Sequence, residues 1–396
     1  MNQPASTPHH CSAPARKQRG TCLDLCDPSN MSFFREGGKT LSSIGILSTF
    51  SARSPTRHLF KALTVVFSLS TYVVYLWAVT LYNSGGRLAT NHRNLTILLW
   101  HWPFRKPYNL AGDVCGDWYS IPGCLLKDNR SLFHQADIVV FHHTELKTRS
   151  SGLPLHLPRP PRQKWVWMSL ESPATNQDLT SFNGLFNWTM SYRLDADIFI
   201  PYGKLIPRTS QEDYTVPNKN CLVCWVVSNF QAKHKRTAVY RSLRQLIPIE
   251  VYGMLAKKRL PASQLLPTIS RCRFYLAFEN SQSRDYITEK LWRNSFQAGT
   301  VPVVLGPPRP NYEAMVPGNS FIHVDDFNST AELARFLIQL ASDEERYRSY
   351  FRWHRHYDVK LYTDWRERLC SICARYNQLP HNKVYHDLNS WANKTM

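Results

Sequence analysis

Two glycine-rich phosphate loops are missing from this chain: neither G-x-G-x-x-G nor G-x-x-x-x-G-K-[ST] occurs in its 396 residues. The first absence argues against a dinucleotide oxidoreductase. The second argues against a P-loop NTPase, because both classes rely on glycine to bring backbone N–H groups close to phosphate. Acidic residues are also scarce, 29 against 48 Lys and Arg, which leaves a formal charge of +19. Such an excess invites a nucleic-acid reading, since dense cations neutralise phosphates and release counterions. Here, however, the basic residues are spread thinly, with no long Lys/Arg block and no nucleic-acid module, so nucleic acid is not the expected partner. A basic enzyme acting on anionic small molecules accounts for the charge equally well. No internal repeat stands out. What the chain does have is 43% apolar and 13% aromatic residues, enough for well-filled cores. Its length allows two domains beside any anchor.

Charge is absent altogether from Ala62 to Tyr82, ALTVVFSLSTYVVYLWAVTLY. At about 1.5 Å per residue such a stretch reaches across a hydrocarbon core of roughly 30 Å. Arg16, Lys17, Arg19, Arg35, Lys39, Arg53, Arg57 and Lys61 precede it, and Arg87 and Arg93 follow closely. The positive-inside rule then keeps the N-terminus cytoplasmic and sends the bulk of the chain across the membrane. The run is long, begins late and lacks a small-residue cleavage site, which favours an uncleaved type II anchor over a signal peptide. Lumenal chemistry fits. Glycosylation triplets begin at Asn94, Asn129, Asn187, Asn328 and Asn393, of which Asn94, Asn129 and Asn328 are the candidates and Asn187 falls in an expected buried strand. Seven of the ten cysteines follow the anchor: Cys115, Cys124, Cys221, Cys224, Cys272, Cys370 and Cys373. In an oxidising compartment disulfides are their default, and an odd number leaves one thiol over. Cys221-x-x-Cys224 and Cys370-x-x-Cys373 lie too far apart for a compact zinc ribbon.

Residues 1–61 read as a disordered cytoplasmic tail, 62–82 as the anchor and 83–93 as a stem. Continuous apolar runs at Leu95–Trp100, Asp137–His142, Trp165–Leu170 and Asp197–Pro201 suit strands buried on both faces. A polar stretch over 208–220 reads as a linker between a domain over 94–207 and another over 221–396. In the second, expected strands (Cys224–Ser228, Ile249–Tyr252, Phe274–Phe278, Val301–Leu305, Phe321–Val324) alternate with helices (Lys233–Leu246, Glu289–Ala298, Thr330–Ala341). Strand–helix alternation implies a parallel, doubly wound sheet. The expected fold is therefore α/β, two Rossmann-like domains facing a central cleft, preceded by one transmembrane helix.

The most informative segment is FYLAFENSQSRDYITEKLWRNSFQAGTVPVVLG, from Phe274. Its strand ends at Glu279-Asn280, and Thr288-Glu289-Lys290 opens a helix whose N-terminus offers N–H groups and a positive dipole end to a phosphate. This segment resembles the donor-binding signature of the α-1,3-fucosyltransferases, glycosyltransferase family 10. WVWMSLESP, FNWTMSYRLDADIFIPYG, CWVVSNFQAKHKRTAVY and LYTDWRERLCSIC agree with it, and the resemblance runs from Asn94 to the C-terminus.

The resemblance implies an inverting transfer of L-fucose from GDP-β-L-fucose to the N-acetylglucosamine of lactosamine-type glycans, from the Golgi lumen. Such a transfer needs a base for the acceptor hydroxyl and positive charge for the departing diphosphate. It puts the base on Glu171, in the Glu171-Ser172-Pro173 motif, where Pro173 favours an extended residue before it. It puts the phosphate-binding fork on Arg236. Further donor contacts fall on Tyr202, Ser228, Asn229, Tyr275, Asn280, Tyr286 and Lys290, and Glu289 faces the fucose as a second catalytic carboxylate. His142, His143 and Thr144 mark the acceptor region; relatives often carry Arg or Trp where this chain has Thr144. Asp195-Ala196-Asp197 is expected to be structural, no metal is required, and manganese stimulation stays open. For the cysteines, the resemblance joins Cys224 to Cys272. It lets Cys115 and Cys124 pair either across to Cys370 and Cys373 or locally, with Cys221 left as the odd thiol. A basic lumenal domain favours a sialylated, anionic acceptor over neutral lactosamine. Outside this class stand a two-carboxylate glycosidase, to which a basic donor site would be superfluous, and a silent membrane-anchored glycan binder.

Overall fold

A computed structural model describes residues 70–72, 94–147, 152–209 and 213–394. Contacts divide the chain into two units, Met1–Leu88 and Ala89–Met396. In the first, only Ser70–Tyr72 is described, as helix; the tail, the stem and nearly all of the expected anchor lie outside the described residues. Among the described residues no helix is long and apolar enough to cross a membrane. The second unit holds everything that follows.

Its first half is a six-stranded parallel sheet. The strands are β1 (Leu95–Leu99), β2 (Cys124–Lys127), β3 (Ile138–His142), β4 (Lys164–Ser169), β5 (Trp188–Ser191) and β6 (Ile198–Phe199), in the order β2-β1-β3-β4-β5-β6. Every residue of β3 and β5 is buried, as expected of strands covered on both faces. β5 looks polar on paper, yet its Thr189 is satisfied internally, bonding Asp197 through its N–H (2.9 Å) and Tyr385 through its hydroxyl (3.0 Å).

β7 (Gly203–Pro207) leaves this sheet, and an extended segment leads to the second one. That sheet holds β8 (Cys221–Val227), β9 (Ile249–Gly253), β10 (Cys272–Phe278), β11 (Val301–Leu305) and β12 (Ile322–His323), in the order β12-β11-β10-β8-β9, again parallel. Its core stacks Trp225, Phe274, Phe278 and Leu305 under the helix Thr330–Ser342, whose Leu333 and Leu337 are fully buried. Ser329 caps that helix by accepting from Glu332 N–H at 3.2 Å, an ordinary N-cap.

The domain expected over 221–396 does not keep its C-terminal end. β13 (Tyr357–Leu361) runs antiparallel to β7, and the helices Trp365–Arg375 and Leu388–Asn393 pack into the first half. Leu369, Ile372 and Leu379 join the core with Ile97 and Val140, and Tyr385 and Leu388 join the one with Val139 and Trp167. Two disulfides fasten this return, Cys115–Cys370 and Cys124–Cys373, with Cα separations of 5.5 and 5.9 Å. Of the two arrangements left open by the sequence, the cross-pairing is the one formed. Cys224–Cys272 closes the third, between β8 and β10. Cys221 remains free; burial, followed by the neighbouring Glu250, pushes its thiol up to about 12, so it stays protonated. Its sulfur lies 3.8 Å from that of Cys224.

Candidate functional site

In each sheet the chain leaves a central strand and turns to opposite sides, first between β1 and β3, then between β8 and β10. Ligands of open α/β sheets sit at such switch points, beyond the carboxyl ends of the strands. At the second switch point lies a cavity of about 490 Å³. Val226, Val227, Ser228 and Asn229 reach it from β8, Asn280 from β10, and Glu171 and Tyr202 from the opposite half. Gly253 ends β9 beside it at φ +97°, and a Cβ there would meet the Val227 carbonyl oxygen at 2.3 Å. Only glycine fits that approach.

Glu171 stands two residues beyond the buried β4 end, on a turn before the one-turn helix Pro173–Asn176. Three bonds hold this turn. Glu171 N–H donates to Ser169 Oγ (3.1 Å), Asn176 Nδ2 donates to the Glu171 carbonyl (3.1 Å), and Ser169 Oγ donates to Asn176 Oδ1 (2.8 Å). Burial raises the Glu171 pKa; His142 opposes and Glu289 reinforces it, and the net shift is upward. A half-buried carboxylate with a raised pKa is suited to accept a proton.

Facing it, Lys290 Nζ donates to Glu279 Oε2 at 2.8 Å and to Thr288 Oγ1 at 2.8 Å. Glu279 is buried and also accepts from the Thr288 N–H at 2.8 Å. Burial alone would lower the Lys290 pKa, but Glu279 and Glu289 hold it well above the ordinary lysine range, so the ammonium is a fixed charge. For Glu289 burial raises the pKa, while Lys290 and a backbone hydrogen bond more than offset it; the carboxylate stays ionised. Arg236, on the helix Lys235–Leu243, is 4% exposed and is clamped by the carbonyls of Phe278 (3.3 Å) and Asn229. Its Nε and the Oδ1 of Asn280 have no hydrogen-bond partner among the described residues. Buried polar atoms without partners are costly, so a ligand between them would complete the site. A second cavity of about 220 Å³ opens on the other side of the same two residues.

The structure thus brings Glu171, Tyr202, Ser228, Asn229, Arg236, Asn280, Tyr286, Glu289 and Lys290 to one cavity. Tyr275 is not on it. Its ring is core and its hydroxyl accepts from Asn294 Nδ2 at 3.0 Å, and it is Asn294 that lines the cavity. His142 and His143 are 1% and 2% exposed. His143 accepts from Trp167 Nε1 (3.2 Å) and donates from Nε2 to the Asn176 carbonyl (3.0 Å). Burial lowers its pKa to about 4, which keeps the ring neutral, and it braces the Glu171 turn from behind. His142 pairs with Glu145 and packs between the rings of Phe104 and Trp365. The two carboxylates of Asp195-Ala196-Asp197 are engaged elsewhere: Asp195 with Arg193, Asp197 with Lys383 and Tyr385. Cys370 and Cys373 are consumed in separate disulfides, so the two Cys-x-x-Cys pairs share no metal. Asn94, Asn129 and Asn328 are exposed, while Asn187 is buried and bonded to Trp165 N–H at 2.9 Å.

Sequence reasoning missed Glu279, Asn294, Gly253 and Arg259. Glu279 carried a signal, a carboxylate closing an otherwise apolar strand; Arg259 carried none, since it comes from an irregular loop after β9.

The sequence matches known proteins over most of the second unit. Residues 92–203 match the family profile "Fucosyltransferase, N-terminal" and 216–391 match "Glycosyltransferase family 10 (fucosyltransferase) C-term". The chain is 50% identical over 345 residues to alpha-(1,3)-fucosyltransferase 7 of Mus musculus, covering 87% of each. It is 49% identical over 343 residues to alpha-(1,3)-fucosyltransferase 7 of Homo sapiens, covering 86% of this chain and 98% of that one. To 4-galactosyl-N-acetylglucosaminide 3-alpha-L-fucosyltransferase 9 of Bos taurus it is 43% identical, over 75% of this chain and 81% of that one. In fold it is similar to a crystal structure of an alpha1,3-fucosyltransferase with GDP-fucose (TM-score 0.50, 19% identity, 74% of this chain and 92% of that one).

Proposed function

Because the chain belongs to glycosyltransferase family 10, the fucosyltransferases, we propose that the cavity binds GDP-β-L-fucose and that the protein is an inverting α-1,3-fucosyltransferase. Its acceptor is the N-acetylglucosamine of α-2,3-sialylated lactosamine glycans. Support comes from one observation above the rest: a carboxylate with a raised pKa, Glu171, faces a fixed lysine ammonium and a buried arginine across a single cavity. Glu171 takes the proton from the acceptor 3-hydroxyl. The freed oxygen attacks the anomeric carbon from the face opposite GDP, and the carbon–phosphate-oxygen bond breaks with its electron pair leaving on the diphosphate. Arg236 and Lys290 receive that charge. Ionised Glu289 accepts hydrogen bonds from the fucose hydroxyls and opposes the positive charge developing on the ring. With two cations in place, neutralising the leaving group needs no metal. The product is α-linked because attack inverts the β-configured donor.

The preference for a sialylated acceptor rests on the basic chain and on the higher identity to the type 7 relatives. In this reading the protein is a single-pass type II protein of the Golgi membrane with its catalytic unit in the lumen.

Detergent-solubilised full-length chain, incubated with GDP-fucose and with neutral or α-2,3-sialylated lactosamine, tests the reading. Expected is transfer to the sialylated acceptor, an α-anomeric signal in the product, and loss of transfer in Glu171→Gln. Transfer to both acceptors alike would make the enzyme a broader, Lewis-type one. Folded protein that binds GDP yet transfers to neither acceptor would leave a silent glycan binder.

A further inference from the structure

The first sheet has a switch point of its own, between β1 and β3, and a third cavity, of about 380 Å³, sits there. The donor cavity occupies the equivalent place in the second sheet, so the fold presents two ligand positions of the same kind. Trp102, Arg105, Asp128, Arg130 and Glu145 line it, a mixture of an aromatic face, hydroxyl-accepting carboxylates and guanidinium groups that suits a charged sugar. Glu145 connects it to the chemistry: it pairs with His142, a neighbour that opposes the rise in the Glu171 pKa.

The rim is built under strain. Phe104 and Arg105 both adopt φ 56°, consecutive non-glycine residues in the left-handed region. Such conformations are costly and persist where the surroundings impose them, often at ligand clamps. What the strain achieves here is presentation. The Phe104 ring is 52% exposed while lying 5.4 Å from His142 and 6.3 Å from Trp365. Arg105 is exposed, with no ion-pair partner among the described residues. Arg130 is fixed by two bonds to the Trp100 carbonyl, at 3.1 and 2.9 Å, and lies over the Trp100 ring. Asp128 is occupied by the Trp102 indole N–H at 2.9 Å.

We infer that this switch-point cavity is an acceptor subsite for a terminal, carboxylate-bearing sugar, with Arg105 as its carboxylate ligand and Trp102 as its stacking face. The fucosylated residue sits at Glu171, and the acidic sugar is held beyond the His142–Glu145 pair. This assignment rests on the acceptor reading above and names the residue that makes it selective.

Two measurements on the full-length protein test it. In kinetics, Arg105→Gln lowers the ratio of kcat/KM for sialylated over neutral lactosamine at least tenfold, chiefly through KM, and Arg105→Lys restores most of it. An unchanged ratio, or Lys behaving like Gln, overturns the assignment. In saturation-transfer NMR, the methyl α-glycoside of N-acetylneuraminic acid gives a signal with GDP-loaded wild type that disappears in Arg105→Gln. No signal from wild type overturns the subsite. A wild type that binds this glycoside but transfers no fucose to sialylated lactosamine overturns the functional reading and leaves the subsite standing.

Discussion

At the scale of single residues, the site depends on charges whose protonation is set by burial. Glu171 must be ionised to act as base, and burial raises its pKa, so kcat/KM falls as pH falls through that raised value. Lys147 is among the cations that pull it back down. Lys147→Met removes that charge, the Glu171 pKa rises further, and the acid limb of the kcat/KM profile moves to higher pH; an unmoved limb would deny the two residues their electrostatic contact. Glu171→Gln, which keeps the shape and loses the base, lowers kcat by about 10²–10⁴-fold at pH values where Glu171 is ionised, and its profile lacks the acid limb. At Arg236 the expectation concerns geometry. Lysine keeps the charge but lacks the planar fork that the Phe278 and Asn229 carbonyls position, so Arg236→Lys lowers kcat/KM for GDP-fucose by roughly 10²-fold in steady-state assays. Most of these residues were legible in the sequence because they fall on segments with a strong family resemblance. Tyr275 was legible as a residue but not as to its placement, since nothing in FYLAF says which alternate side chain meets the ligand. The two histidines read as marking the acceptor region, but their burial was not legible, because a pair of polar residues closing an apolar strand does not announce that a tryptophan ring and an asparagine carbonyl will enclose one of them.

At the scale of elements, the strands found from sequence are those with nothing polar to interrupt them. Val301–Leu305 matches the expected bounds residue for residue, and all five of its side chains are buried. β5 was expected only as a buried strand at Asn187, without bounds, because Trp-Thr-Met-Ser does not read as apolar, and only a tertiary bond to Asp197 makes Thr189 acceptable in a core. β7 and β13 were missed because their partner lies about 150 residues away and both are half exposed. The helix expected over Glu289–Ala298 begins as α and widens into a π turn at Trp292–Gln297. Ser295 Oγ donates to the Lys290 carbonyl at 2.8 Å, and Asn294 is turned towards Tyr275 and the donor cavity, the kind of local widening that recurs at functional sites. A test at this scale falls on the turn that carries the base. Asn176→Ala deletes the amide that ties Ser169 to Glu171, leaving the buried Ser169 hydroxyl without its acceptor and the Glu171 carbonyl without its donor, at a cost of about 1–3 kcal/mol in stability. Because the amide touches no donor atom, kcat falls while the KM for GDP-fucose holds. Equal changes in both would mean that the turn also shapes the donor pocket.

At the scale of the whole molecule, the two halves are stitched rather than merely linked. The chain crosses from first to second at 208–220, and returns through β13 and the helix Trp365–Arg375 to the first half's core. Cys115–Cys370 and Cys124–Cys373 close circuits with sequence separations of 255 and 249, and the two are not independent. In the chain-entropy account, a loop of that size constrains the unfolded chain by about 5 kcal/mol. Once one bridge exists, however, the other closes only the short circuit through 115–124 and 370–373, worth about 3 kcal/mol. Removing either bridge alone by paired Cys→Ala changes therefore costs about 3 kcal/mol, and removing both costs about 8, more than the sum of the single losses. Equilibrium unfolding followed by tryptophan fluorescence reads the difference. Additive losses would mean that each bridge restrains the unfolded chain independently of the other. The larger double loss would mean that the two restrain one and the same loop, which leaves the first half near Cys115–Cys124, carries the whole second sheet, and returns at Cys370–Cys373 to the half that presents Glu171.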